Sequence, residues 1–303
     1  MSEKVIDLVV SIILVNYNTK QMTQECIQSI QEHTHGVSYE IIVVDNASQD
    51  GSQDFFSDLP GIYLVCSEDN VGFGRGNNLG ATYAQGDFVF LLNTDTLLKE
   101  DSISKLVKLF RSCEDKYCIG ALGCTLLDSD MQVSESSFDF VSAKSVFADT
   151  LRVVKNNIFS ASQAKEESIV YFDKQHKMAL VDYVSGAAVL IRKSIFNNVG
   201  GFDSDYFMYF EEADLQKRIQ KTGLKSVLTA TTAIIHLEGG STDGVSQKLS
   251  NKRRIMIQQG RNLFLRKNDK KKYLFYVIFD SIYSILRLLN RNYTFKENLQ
   301  FIS

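Results

Sequence analysis

The chain has 303 residues, 44% of them hydrophobic, one proline, no tryptophan and a formal net charge of -3; it can bury a sizeable core as one large α/β domain, alone or with an appendage. The charge is unevenly spread: Lys248 to the end carries 13 Lys+Arg against 3 Asp+Glu, so an acidic body bears a basic tail that suits a membrane surface or a polyanionic partner. Five cysteines without a CxxC pair argue against a disulfide framework and read as reduced, buried small hydrophobes of a cytosolic protein, and Met1 to Asp7 does not read as a signal peptide.

Val9 to Val15 reads as a buried strand ending in Asn16-Tyr17-Asn18, followed by a helix over Lys20 to His33. Tyr39 to Val44 is a second strand, ending in Asp45-Asn46-Ala47-Ser48; Asp50-Gly51-Ser52 then opens a short helix. Ile62 to Cys66 is a third. A loop rich in Gly and Asn spans Asn70 to Asn78 and runs into a helix through Tyr83. Phe88-Val89-Phe90-Leu91-Leu92 is apolar on both faces, as a central parallel strand covered by helices must be, and stops abruptly at Asn93-Thr94-Asp95-Thr96. This β-α repetition predicts a parallel sheet wound by right-handed crossovers. Asn and Asp gather at its carboxyl edge, where such sheets bind ligands.

Ser102 to Cys113 reads as an amphipathic helix and Ile119 to Leu127 as a strand. Residues from about 128 to 177 read as an irregular insertion with a short helix around Ala143 to Val154. Val181 to Arg192 is strand-like, and Gly186 within it permits a close approach of backbone to ligand. The aromatic run Tyr206 to Phe210 leads into Glu211-Glu212, which starts a helix reaching about Thr222, stopped by Gly223. Val227-Leu228 and Thr232 to His236 read as two short strands, with Gly239 to Thr242 beyond them. Lys248 to Arg266 and Tyr273 to Leu289 read as two helices. The second, interrupted by Asp280 and Arg287, falls short of a membrane span and, with Lys270-Lys271-Lys272 ahead of it, suits the surface of a bilayer.

The strand ends offer a joint chemistry. Asp45 can accept from the imide N–H of uracil or thymine, and Tyr17 can stack on a base. The Asn70–Asn78 loop, with Asn70, Gly72, Arg75, Asn77 and Asn78, offers N–H groups and one cation to phosphates. Asp95 and His236 together can ligate one Mg²⁺ or Mn²⁺ that carries a diphosphate. Each residue has a plainer alternative. Asp95 can cap a helix from Lys99, His236 can be structural, and two acids at a helix N-terminus can simply complement its dipole. GFGRG resembles a dinucleotide fingerprint, but it follows the third strand rather than the first, which argues against a dehydrogenase.

Taken in order, VSIILVNYN, IIVVDNASQDGS, NVGFGRGNN, GDFVFLLNTDT, SGAAVLIRKSIF, FEEADLQKRIQKTG and IIHLEGGST resemble the inverting glycosyltransferases of family 2, in particular their rhamnosyltransferase-like branch, over roughly residues 9–245. The resemblance implies the GT-A nucleotide-diphospho-sugar transferase fold, a Rossmann-like mixed sheet flanked by helices, over 1–245, with a helical extension over 246–303. It implies that Asp45 recognises the base and that Val15, Tyr17 and Asn18 line the nucleoside pocket. Asn93-Thr94-Asp95 stands for the family's metal motif, with Asp95 the direct ligand, Asn93 acting through water or the ribose, and Thr94 where proline is common. His236 resembles the second metal ligand. Glu211-Glu212 resembles the acid pair whose second member is the general base, so Glu212 is the candidate and Glu211 its alternate. Gly186, Tyr209, Phe210 and Glu211 fall on the acceptor side.

The expected activity is inverting, non-processive transfer of one sugar from dTDP-L-rhamnose or a UDP-hexose to a glycan or lipid-linked acceptor in cell-surface polysaccharide synthesis. The expected location is cytoplasmic, peripheral on the inner face of the plasma membrane. No nucleic-acid partner is expected, and a homodimer is left open. The alternatives are a sugar nucleotidyltransferase of the same fold, whose phosphate loop after the first strand is lacking here, and a non-catalytic glycan-binding relative, which would have lost Asp95, Glu212 or His236. A processive synthase would carry a Trp-containing acceptor motif, and this chain has no tryptophan.

Overall fold

The computed structural model describes residues 8–142, 171–237, 250–270 and 273–278, together with Ser281 and Lys296. The expected helix at Ala143 to Val154, the Gly239 to Thr242 segment and most of the last helix lie outside these residues. The chain divides into two compact units, one of Met1–Asp139, Val170–Phe207 and Glu211–Gly244, the other of Phe140–Ile169, Met208–Phe210 and Val245–Ser303.

The first unit opens with β1 (Val10–Asn16), α1 (Lys20–His33), β2 (Tyr39–Asp45), α2 (Ser52–Ser57), β3 (Ile62–Cys66), α3 (Phe73–Tyr83) and β4 (Phe88–Leu92). It continues with β5 (Thr96–Leu97), α4 (Ser102–Tyr117), β6 (Ile119–Leu127), β7 (Ser137–Phe138), β8 (Met178–Val181) and β9 (Tyr183–Val184), then β10 (Ala188–Arg192), α5 (Lys193–Asn198), α6 (Glu211–Lys221) and β11 (Lys225–His236). One sheet runs in the order β3-β2-β1-β4-β10-β6-β11-β5, with β8 also on β11. The first four strands are mutually parallel, as their alternation with helices requires, and β10 enters antiparallel between β4 and β6. The result is a mixed α/β sheet of GT-A type.

Alternation along the central strands builds two cores. Ile12, Leu14, Phe88, Phe90, Leu92 and Leu190 face one side, against Cys26, Ile27 and Ile30 of α1 and Ile103, Leu106 and Phe110 of α4. Ile13, Val89, Leu91, Val189 and Ile191 face the other, against Ala81 of α3, Phe196 of α5 and Leu215 and Ile219 of α6. Cys26, Cys113 and Cys124 are buried, and Cys66 and Cys118 are exposed. Burial pushes the Cys26 and Cys124 thiols up to about 12, which keeps them protonated and inert.

Four details differ from the sequence reading. The helix after the glycine loop begins already at Phe73, because Gly76 and Gly80 let it lie close on the sheet: a Cβ at Gly80 would come 2.7 Å from Ile13, and one at Gly76 2.8 Å from Val15. Asp95 leads into β5, and the following helix is capped instead by Asp101, whose carboxylate accepts from the Ser104 N–H. The strand-like run Val181 to Arg192 is split among β8, β9 and β10, which pair with β11, β7, and β4 and β6 respectively. The Gln216 amide takes both the N–H and the carbonyl of Val184, replacing a strand neighbour there. Conversely, the two short strands at Val227 and Thr232 are one, β11, whose register shift between Thr229 and Ala233 absorbs the polar Thr-Ala-Thr-Thr stretch that reads as a break.

The second unit centres on α7 (Asn251–Asn268), capped by Ser250. Gly260 admits the backbone of Tyr209, whose carbonyl oxygen would lie 2.4 Å from a Cβ there. Phe264 packs near the rings of Phe140 and Phe210, and the Arg253 guanidinium lies 5.8 Å from the Tyr209 ring centroid. Past α7, Tyr276 turns inward against Leu265, while Leu274, Phe275, Val277 and Ile278 stay exposed. Among the described residues no helix is long and apolar enough to cross a membrane.

Candidate active site

The site gathers at the carboxyl edge of the parallel strands. Asn16 and Asp45 end adjacent strands in register, and the Asn16 Nδ2 donates to Asp45 Oδ2 at 2.7 Å. Asp45 Oδ1 accepts from the Ser48 N–H and from Gln53 Nε2, both at 2.9 Å, and the residue is 0% exposed. Asn18, at φ 54°, closes the corner: its N–H donates to Ser48 Oγ and its Oδ1 accepts from the Gln49 N–H. Tyr17 stands beside this corner with its ring 46% exposed, and Val15 packs toward Gly76. The sequence reading did not include Gln53. The sequence sets it only in the first turn of the helix that Asp50-Gly51-Ser52 opens, with nothing to aim it at Asp45.

The glycine loop is shorter and more internally bonded than its composition implies. Asn70 Oδ1 accepts from the Gly72 N–H, and Gly72, at φ 86°, sits where a Cβ would collide with the Phe207 carbonyl. Arg75 donates through Nε to the Ser204 carbonyl. Asn77 is fully buried and donates to the Phe73 carbonyl, while Asn78 both donates to and accepts from the backbone of Phe202. The Asn77 amide thus bonds within α3 and the Asn78 amide ties that helix to Phe202, and the part of the stretch that remains loop is Asn70 to Gly72.

At the end of β4, the Asn93 N–H donates to the Ala187 carbonyl and the Asn93 carbonyl accepts from the Thr96 hydroxyl. Thr94 is buried, its hydroxyl 3.3 Å from that of Thr19. β5 pairs antiparallel with the end of β11, Thr96 opposite His236, and the Leu237 N–H donates to the Asp95 carbonyl. This pairing brings His236 Nε2 to 3.3 Å from Asp95 Oδ1 and 3.4 Å from Asn93 Nδ2. Both side chains of the Asp95–His236 pair remain partly open, at 17% and 14%.

The acid pair approaches through Gly186. That glycine lies one residue before Ala187, and a Cβ on it would come 3.3 Å from Cβ of Glu212 and 3.4 Å from its Cγ. Glu212 is half-buried and Glu211 is only 4% exposed. Burial, and then the neighbouring Glu212, pushes the Glu211 carboxyl well above its ordinary value. Tyr183 is held protonated likewise, first by burial and next by Glu212. The two glutamates therefore differ in kind: one is an interior acid pushed toward its neutral form, the other is half-buried and packs against Gly186. Tyr209 and Phe210, both at φ 70°, belong to the second unit, where α7 holds them. Such a conformation is costly for aromatic residues and marks a backbone fixed by its surroundings.

An oxygen and an imidazole nitrogen at this separation, partly open and at a strand edge, form a donor set that fits Mg²⁺ or Mn²⁺. Among the described residues no group of three or more His, Cys, Asp and Glu is placed to hold a metal ion.

Known proteins resemble this chain in sequence and in fold. It is 25% identical over 233 residues to rhamnosyltransferase WbbL of Escherichia coli, covering 71% of this chain and 78% of that protein. It is 27% identical over 220 residues to the N-acetylglucosaminyl-diphospho-decaprenol L-rhamnosyltransferase of Mycobacterium tuberculosis, covering 67% of each. Its fold matches the mannosyltransferase PcManGT of Pyrobaculum calidifontis, solved with GDP-Man and Mn²⁺, at a TM-score of 0.54 and 17% identity, over 86% of this chain and 64% of that one. The sequence profile described as glycosyl transferase family 2 matches residues 11–200, well over half of the chain, and the chain belongs to that family.

Proposed function

We propose that this glycosyltransferase moves one sugar, with inversion, from a nucleoside diphosphate donor to a glycan or lipid-linked acceptor during cell-surface polysaccharide synthesis. The observation that carries the reading is the Asp95–His236 pair, set at one sheet edge with Asn93, which is hydrogen-bonded to the residue after Gly186. Val15, Tyr17, Asn18 and Asp45 form the nucleoside side, and Asn93 and Asp95 the diphosphate side. Asp95 and His236 would hold Mg²⁺ or Mn²⁺, with diphosphate oxygens completing the coordination. When bound, the ion supplies positive charge against the departing diphosphate.

The chain's own residues perform the proton chemistry. The acceptor hydroxyl oxygen attacks the anomeric carbon from the face opposite the diphosphate, and the C–O bond to the diphosphate breaks as the new one forms. Glu212 takes the hydroxyl proton. Burial and the neighbouring Glu212 push the Glu211 carboxyl up, which favours its neutral form and suits it less than Glu212 to act as base. Gly186, having no Cβ, lets the backbone pack directly against the Glu212 side chain and so helps to position it.

The similarity to two rhamnosyltransferases supports a dTDP-L-rhamnose donor, with UDP-hexoses the alternative, and the name of the mycobacterial relative supports a lipid-linked diphosphate acceptor. The exposed Leu274, Phe275, Val277 and Ile278, beside the basic Arg266, Lys267 and Lys270, support docking on the anionic inner face of the plasma membrane. A thermal-shift screen of nucleotide sugars with Mn²⁺ or Mg²⁺ tests the reading. A metal-dependent rise in Tm with dTDP- or UDP-sugars is expected, and a chain indifferent to every nucleotide sugar would overturn it.

A further inference from the structure

We infer that Gln53 selects the base of the donor by reading the carbonyl beside an imide N–H. The inference rests on the placement of the nucleoside at Asp45. Asp45 is closed to solvent, and three donors already occupy it: Asn16 Nδ2 on one oxygen, the Ser48 N–H and Gln53 Nε2 on the other. Oδ1 already holds two donors, so a base can bond that oxygen only if one of them yields. Asn16 is fully buried, and its own oxygen accepts from the Thr19 and Thr23 hydroxyls at 2.9 Å each. The Ser48 donor is backbone in a turn held by Asn18. Gln53 alone is a long, half-exposed side chain on the first turn of a short helix.

Moved off Asp45, the Gln53 amide stays within a side chain's reach of it and keeps an N–H to donate. The base edge then meets an acceptor, Asp45, next to a donor, Gln53. Uracil and thymine place an N–H between two carbonyls and satisfy both. Cytosine and adenine present a bare ring nitrogen to the carboxylate and an amino group beside it. A flipped Gln53 amide answers the amino group but leaves two lone pairs face to face. Guanine has the N–H and one carbonyl, with an amino group on the other side. Its carbonyl can meet Gln53 as that of uracil does, so Gln53 discriminates against cytosine and adenine rather than guanine. The resting bond between Gln53 and Asp45 satisfies a buried carboxylate when the pocket holds no base.

Calorimetric titration of the full chain with UDP, dTDP, CDP and GDP in Mn²⁺ tests this, using wild type, Gln53→Leu, Gln53→Met and Asp45→Asn. Gln53→Met, similar in length, separates the lost hydrogen bond from lost packing should Gln53→Leu fold poorly. The expected result is a preference of wild type for UDP and dTDP over CDP. Their affinity falls roughly three- to tenfold in both Gln53 variants, the worth of one net hydrogen bond, with CDP unmoved. Unchanged UDP and dTDP affinity in Gln53→Met, with Asp45→Asn clearly weaker, overturns the role of Gln53 and leaves the donor site standing. CDP bound as well as UDP by wild type also overturns it. Wild type that binds none of the four overturns the donor site and this inference together.

Discussion

His236 Nε2 lies 3.3 Å from Asp95 Oδ1, although the two residues come from opposite halves of the chain. The two-residue strand after Asp95 pairs with the last residues of β11, which fixes both backbones before either side chain is placed. Asp95→Ala and His236→Ala should each weaken Mn²⁺-dependent binding of nucleoside diphosphate by at least about 100-fold, since loss of a direct ligand should exceed the effect of losing an outer partner. Calorimetry with and without EDTA checks this. Full retention of the metal effect in His236→Ala would remove the histidine from the site.

The acid pair calls for two different variants. Glu212→Gln should keep donor affinity but lower kcat by about 10²- to 10⁴-fold, the usual range for a general base. A variant with near-normal turnover would transfer that role elsewhere.

Glu211 should reveal itself in stability instead. Its carboxyl lies well above the ordinary 4.5 in the folded chain, so the native state holds a proton that the unfolded state releases. Stability from this group is full below the unfolded value and declines as pH rises from there toward the folded one. Glu211→Gln has no such titration. Its Tm should therefore fall less than that of wild type as pH rises above about 5. Parallel Tm curves for the two proteins would show that Glu211 is ionised in the native state.

Gly186→Ala probes the packing against Glu212. Its new methyl would sit 3.3 Å from Glu212 Cβ, tight enough to move that side chain by a few tenths of an ångström. Transfer should drop roughly 10- to 100-fold while UDP or dTDP binding is unchanged, because a small displacement of a reacting group is costly. Loss of nucleotide binding in this variant would place Gly186 on the donor side.

The exposed apolar residues after α7 should govern membrane attachment. Replacing Leu274 and Phe275 together by Glu should cut partition onto vesicles rich in anionic lipid by about tenfold or more, with donor hydrolysis retained. Equal flotation of both proteins would argue that this face meets something else.

Local pattern was enough for much of this protein. The runs ending at Asn16, Asp45 and Leu92 are apolar on both faces because helices cover both sides of the sheet, and that demand is written residue by residue. Asp45, Asp95, Glu212 and His236 could be singled out from sequence, since each lies at or just past the end of an apolar strand run or at the start of a helix. Tertiary structure decided what local pattern leaves open. Gly76 looks like part of a phosphate loop until the sheet beneath it is seen, and Asn77 looks available until it is buried. Glu211 and Glu212 are chemically alike in the sequence; only packing makes one an interior acid and leaves the other beside Gly186. The link between Gln53 and Asp45 was also invisible, because a hydrogen bond across a strand-to-helix turn depends on the path of the backbone between them. Sequence sets the preference of each segment for its own period and burial; distances between segments follow only once the sheet order is fixed.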